Sequence, residues 1–234
     1  MNHVAKKGFT LVELMLAMSF ISVLLVAITL TVIQISAIYN KGITLTDLNN
    51  SSRSLSTELQ RSISSTAPFS IEAGTGDRYI AQGNWGGRLC IGQYSYIWNY
   101  GKALNNNSSS GTSLNVYTTT PNTQIRFVKA IDPNGAYCAN PSQKIDPATA
   151  VEVMNSGDHT LVLHNFIVSS QPSAIDIKTN ERLYTISFTI GTNDQAALTS
   201  DSTACLATTI VGANFTFCAV QQFTVVVRAG NGVQ

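Results

Sequence analysis

Cys90, Cys138, Cys205 and Cys218 are the residues of this chain best equipped for covalent chemistry. None stands in a Cys-x-x-Cys pair, so neither a zinc knuckle nor a dithiol redox centre has support. An even number, all downstream of a long apolar run, fits two disulfides made in an oxidising compartment. Catalytic sets are missing from the sequence: there is no Gly-x-Ser-x-Gly elbow, no phosphate loop and no His-Glu-x-x-His helix. His159 and His164 are five apart on an expected strand, which turns them to opposite faces. Asp132, Asp146, Asp158, Asp176, Asp194 and Asp201 are scattered without calcium-loop spacing. No enzyme, cofactor or metal site is therefore expected. Tyr94, Tyr96, Trp98 and Tyr100 form an aromatic stripe that could stack on sugars or bases, but strand alternation already explains it as sheet core. Only Arg88 and Lys102 flank it, and the formal net charge is +1, so a nucleic-acid partner is unsupported.

The second chemically loaded residue is Glu13, because of what surrounds it. From Leu14 to Ile33 the sequence carries no charge, Gly or Pro. As a helix that run spans about 30 Å, the thickness of a bilayer core. Lys6 and Lys7 precede it, and the next positive residue is Lys41, an asymmetry that favours the N-terminus inside and the bulk of the chain outside. A carboxylate near such a span is costly without a partner, about 2.5–3.5 kcal/mol at the membrane centre.

The string Lys6-Lys7-Gly8-Phe9-Thr10-Leu11-Val12-Glu13 ahead of this run resembles the class III leader of type IV pilins and type II secretion pseudopilins. The resemblance implies cleavage by a prepilin peptidase between Gly8 and Phe9 and methylation of Phe9 as the new first residue. It implies that Glu13 is the assembly contact, paired with the N-terminal amine of a neighbouring subunit. The stretch from Asp47 to Ser65 looks like the second half of the helix in W-type minor pilins and J-type minor pseudopilins, and the end QQFTVVVRAGN echoes their closing strand loosely. No Pro occurs near Leu30, where many major pilins carry one. The implied function is a minor pilin that initiates or caps a type IV pilus, present in low copy but not outermost. A secretion pseudopilus component, or a tethered adhesin or DNA-uptake receptor, is the alternative. Implied partners are other pilin subunits, the peptidase, an inner-membrane assembly platform, and the lipid bilayer before assembly. The implied location is the inner membrane in a single pass, head outside, and then the surface pilus.

Elements must place these residues. Leu45, Leu48, Leu55, Leu59 and Ile63 recur at helical spacing with Ser52 in the gap, and Glu58 and Arg61 lie on the polar side at i, i+3. Gly42 is expected to bend or loosen the helix, and Thr66-Ala67-Pro68 to stop it. Beyond Pro68 the period becomes two, with strands expected near 86–92, 94–100, 114–119, 124–130, 159–168, 184–190, 206–211 and 215–228. Turn signals separate them at Asn105–Gly111, Asp132–Gly135, Asn155–Gly157 and Gly191–Asp194. The expected class is α+β: a leader over 1–8, a helix over 9–65 with its membrane segment at about 14–36, and a β-rich head over 66–234. Of the three connectivities open to four cysteines, the expectation is Cys90–Cys138 and Cys205–Cys218, the second closed by a hairpin turning near Val211–Asn214.

Overall fold

Residues 8–71, 78–105, 114–118, 123–154, 160–175, 181–211, 213–214 and 216–230 are described in a computed structural model of the chain, 171–175 by backbone alone. Lys6, Lys7, the polar tract 106–111, the turn at 155–157, Asp158, His159 and Asp176 lie outside those residues.

The first element is a single helix, α1, Leu11–Ser64. At 1.5 Å per residue it is about 80 Å long. Nothing in its interior breaks it. Hydroxyls in the apolar run bond back to carbonyls one turn earlier, Ser22 to Met18 at 2.8 Å and Thr29 to Leu25 at 2.8 Å, so their polar atoms are satisfied within the helix. The helix runs through Gly42, where bending or loosening was expected, without interruption. A lone helical Gly costs only about 1 kcal/mol relative to Ala, and the turns on both sides hold it. The helix ends at Ser65, whose N–H still reaches the Arg61 carbonyl, just before Pro68.

Two antiparallel sheets form the head, so the class is α+β. The first contains β1 (Tyr79–Ala81), β2 (Gly86–Ile91), β3 (Tyr94–Asn99), β4 (Phe127–Ile131) and β5 (Ala150–Glu152) in chain order. Short helices α2 (Gly101–Asn105) and α3 (Ala136–Ala139) interrupt it. The second contains β6 (Leu161–Ile175), β7 (Arg182–Thr192) and β8 (Val220–Ala229). A parallel bridge between Tyr100 and Leu163 joins the two.

The core forms where α1 lies against both sheets. Leu48, Leu55, Leu59 and Ile63 are fully buried with Tyr96, Trp98, Phe127, Phe166, Tyr184 and Phe188. The aromatic stripe is thus sheet interior: Trp98 packs 4.4 Å from Phe166 and 5.9 Å from Phe127, centroid to centroid. Leu45 stays exposed, because the buried face passes through Thr44, one step round the helix.

Two expected strands are not strands. Over 114–118 the chain makes only isolated bridges, Val116 to Gln124 and Tyr117 to Ile145, because the buried side chain of Asn115 bonds inward to Trp98 and Arg88 instead. Residues 206–211 close turns, Ile210 N–H to Ala207 and Ala213 N–H to Ile210, with Val211 fully exposed and, among the described residues, no strand paired with them. β1 and β5, three residues each, were not expected from period.

Candidate functional site

Gly8 and Phe9 precede the first turn of α1, extended from the rest of the molecule. Phe9 is 80% exposed, and no heavy atom lies within 4 Å of where a Gly8 side chain would start. Thr10 is the helix N-cap, and Glu13 sits at the third position of the first turn. The Thr10 hydroxyl accepts the Glu13 N–H at 3.3 Å, while the Glu13 carboxylate accepts the Thr10 N–H at 2.9 Å and its hydroxyl at 2.8 Å. This reciprocal capping box satisfies two orphan donors and sets a negative charge at the positive end of the helix dipole. The Thr-x-x-Glu spacing carries that signal, and sequence reasoning passed over it in favour of an intersubunit role for Glu13.

Beyond the cap, every residue of α1 from Leu11 to Ser36 is exposed. An 18-residue stretch of mean hydropathy 2.6 has none of its residues buried, so this helix is long and apolar enough to span a membrane. Its buried residues begin at Thr44. Lys41 marks the change, its ammonium donating to the Cys218 carbonyl.

The four cysteines pair as Cys90–Cys138 and Cys205–Cys218, with Cα atoms 6.2 Å and 6.0 Å apart. The first ties β2 to α3. The second closes a loop of turns rather than the hairpin expected from sequence.

Where α1 meets the first sheet, Glu58, expected on the polar side of the helix, makes a contact across the fold. Glu58 accepts from Lys129 of β4 at 2.6 Å, from Tyr96 at 2.8 Å and from Ser62 at 3.3 Å. Ser62 and Tyr96 hydroxyls also touch one another. Burial alone would raise the Glu58 pKa, but the bonds from Lys129 and Tyr96 and the Lys129 charge bring it below the usual carboxylate range. Lys129 also sits 3.8 Å from the Tyr94 ring centroid.

Arg88, expected beside the aromatic stripe as a surface cation, is buried on the opposite face of β2. Its guanidinium donates to Asn115 Oδ1 at 3.1 and 2.7 Å and to the carbonyls of Tyr137, Asn140 and Gln143 at 2.8, 3.2 and 2.9 Å. Every arm of the fork is occupied, so its role is to hold the covering loop to the sheet.

Among the described residues, no group of three His, Cys, Asp or Glu side chains could hold a metal. Compared with known proteins, the chain matches no family model, no curated protein and no solved structure.

Proposed function

We propose that this chain is a pilin-type fibre subunit, a minor pilin that helps initiate or cap a type IV pilus. It is anchored in the inner membrane by the first half of α1 before assembly, with the N-terminus inside and the head outside. One observation carries this reading: the Gly8-Phe9-Thr10-Leu11-Val12-Glu13 string stands at the start of an unbroken helix whose apolar first half is exposed from Leu11 to Ser36. Exposed apolar surface of that size needs lipid or other helices around it. A subunit of this kind uses both in turn, the bilayer first and a bundle of neighbouring helices afterwards. Removal of residues 1–8 takes Lys6 and Lys7 away from the end of the helix and leaves the Phe9 amine as a new positive group beside Glu13.

The test is the N-terminus of native protein. Mass spectrometry should find it beginning at Phe9, methylated; retention of Met1 in assembled material would sink the reading. Separating assembly from capping needs two variants. Thr10→Ala breaks the capping box and keeps the carboxylate, whereas Glu13→Gln keeps an acceptor and removes the charge. If Glu13 pairs with a neighbour's amine, Glu13→Gln loses incorporation into fibres and Thr10→Ala retains it. Equal incorporation of both variants would reduce Glu13 to a helix cap, worth about 1 kcal/mol.

A further inference from the structure

β8 fixes which end of the head faces the apolar half of α1. Just before its start, the Cys218 carbonyl accepts from Lys41; just after its end, the Gly230 N–H donates to the Thr66 carbonyl at 3.1 Å. From Lys41 to Thr66 is about 37 Å as helix, and from Cys218 to Gly230 about 40 Å as strand. The two elements therefore run side by side in the same direction. The Cys205–Cys218 disulfide lies at the end of the head nearest the exposed stretch of α1. Lys41 follows Ser36, the last residue of that stretch, by about 7 Å along the helix. A headgroup layer is about 5–8 Å deep, so a membrane segment ending near Ser36 sets the disulfide at its outer edge.

The loop that this disulfide closes has the wrong chemistry for water alone. Residues 206–217 carry no charge and include Leu206, Ile210, Val211, Phe215 and Phe217. Val211 is 100% exposed, Ile210 49% and Phe217 41%. The other exposed large apolar side chains described in the head, Ile131, Val151, Ile167, Leu183 and Val226, stand singly on strands. Several backbone donors of the loop are engaged within it: Ile210 N–H to Ala207, Ala213 N–H to Ile210, Cys218 N–H to Asn214, and Phe217 N–H to Asn214 Oδ1 at 3.3 Å. Each bond lowers the cost of entering a less polar layer. Lys41 and Lys102 stand near the disulfide with Asp194 and Asp201, so neither sign of charge prevails there. Exposed apolar clusters mark protein or membrane contacts, and the bilayer is the apolar phase that α1 brings to this end of the head. We propose that the Cys205–Cys218 loop is a second membrane contact, with Ile210, Val211 and Phe217 seated at the boundary of headgroups and acyl chains beside α1. This rests on the anchoring of α1 in a bilayer.

The test uses the full chain in phosphatidylcholine vesicles, with one added tryptophan at a time and the emission of Trp85 and Trp98 in the parent subtracted. Leu24→Trp reports on the span and Val211→Trp on the loop. Ile131→Trp reports on the far end of the head, because nearby Lys129 bonds Glu58, about 25 Å along α1 from Lys41. Val211 and Ile131 are exposed, so a larger side chain at either leaves the packing intact. Phosphatidylcholine with a nitroxide near the top of its acyl chain should quench Val211→Trp and shift its remaining emission to the blue. A nitroxide at mid-chain should quench Leu24→Trp best. Iodide on both sides of the membrane should quench Ile131→Trp several-fold more than Val211→Trp. Adding Ile210→Asp to Val211→Trp should abolish lipid quenching there, since a carboxylate resists the acyl boundary. If Val211→Trp answers to iodide as Ile131→Trp does while lipid quenches Leu24→Trp, the loop contact is wrong and the anchor stands. Shielding from both iodide and lipid would assign the loop to a protein partner and equally refute the contact, as would quenching that survives Ile210→Asp. No lipid quenching at Leu24→Trp would remove the anchor, and the loop contact with it.

Discussion

Arg88 is a charge taken out of water, held because five hydrogen bonds replace its hydration. Burial draws its pKa down to about 10, which leaves it protonated at neutral pH. Arg88→Met keeps the aliphatic stem but orphans three loop carbonyls and Asn115, so a loss of roughly 3 kcal/mol is expected in chemical denaturation. His164 is shifted in the same direction but ends neutral rather than charged at pH 7. Burial lowers its pKa to about 4; the Thr192 carbonyl opposes the shift and the Lys102 charge adds to it. Between about 4 and the ordinary value near 6.5 the unfolded chain holds the proton and the folded one does not, so stability rises with pH across that window. Thermal melts from pH 7 to pH 4 should fall less steeply for His164→Gln than for the parent, with Asp201 and Lys102 unchanged. Identical slopes would remove His164 from the account. Neither residue's setting was legible in the sequence. Alternation along Gly87-Arg88-Leu89 correctly puts Arg88 opposite Leu89, but the loop that covers that face arrives from 27 to 55 residues away. His164 is the unpaired residue where the β6–β7 register slips between Leu163 and Asn165, and such a bulge leaves no mark in a period-two pattern.

At the level of elements, local periodicity was a good guide wherever a partner strand stood on the right side. The run Tyr184-Thr-Ile-Ser-Phe-Thr-Ile190 pairs with β6 and β8, and its alternate residues Tyr184, Ile186, Phe188 and Ile190 are all buried. Residues 206–211 carry comparable apolar content and form turns, because a strand needs a neighbour and the disulfide loop supplies none. The leucine stripe was legible to within one residue, with Leu45 exchanged for Thr44. Glu58's partner was not, since choosing Lys129 over Arg61 requires knowing which sheet edge lies beside α1. In that junction the pieces are unequal. Lys129→Met breaks a partly exposed ion pair and should cost at most about 1 kcal/mol. Tyr96→Phe leaves Ser62 and Glu58 short of a buried partner and should cost about 1–3 kcal/mol. The reverse ranking would mean that charge rather than hydrogen bonding holds helix to sheet. Chain-entropy reasoning gives about 3 kcal/mol for Cys205–Cys218 and about 4 kcal/mol for Cys90–Cys138, with residue separations of 13 and 48. Serine pairs at each site, compared by Tm, should rank in that order.

The whole molecule divides by solvent. From Leu11 to Ser36 every residue of α1 is exposed, Ala37, Asn40, Lys41 and Ile43 are partly covered, and from Thr44 onward one face is packed into the head. Removing the first part should therefore leave the head's stability untouched. A chain beginning at Ala37 keeps the Lys41–Cys218 contact and the entire packed face. It should be soluble without detergent and melt within a few degrees of the full chain. A collapse in Tm would mean that the apolar half supports the head in a way its exposure does not reveal. That division was readable from hydropathy alone; the arrangement of the two sheets was not, because their junction rests on the Tyr100–Leu163 bridge, on the Tyr79 and Tyr100 hydroxyls that donate to the Phe166 carbonyl, and on aromatic packing between segments far apart in sequence.

Because α1 passes through Gly42 without interruption, its two halves are one screw. A head borne on such a shaft has no free azimuth: whatever fixes the phase of the apolar half also fixes the direction in which the two sheets and the disulfides face. Each residue advances the shaft by 1.5 Å and turns it by 100°. One alanine inserted near Ser36 would thus swing every surface of the head through more than a quarter turn, and a four-residue insertion would return it to within about 40° of its first bearing, displaced by about 6 Å.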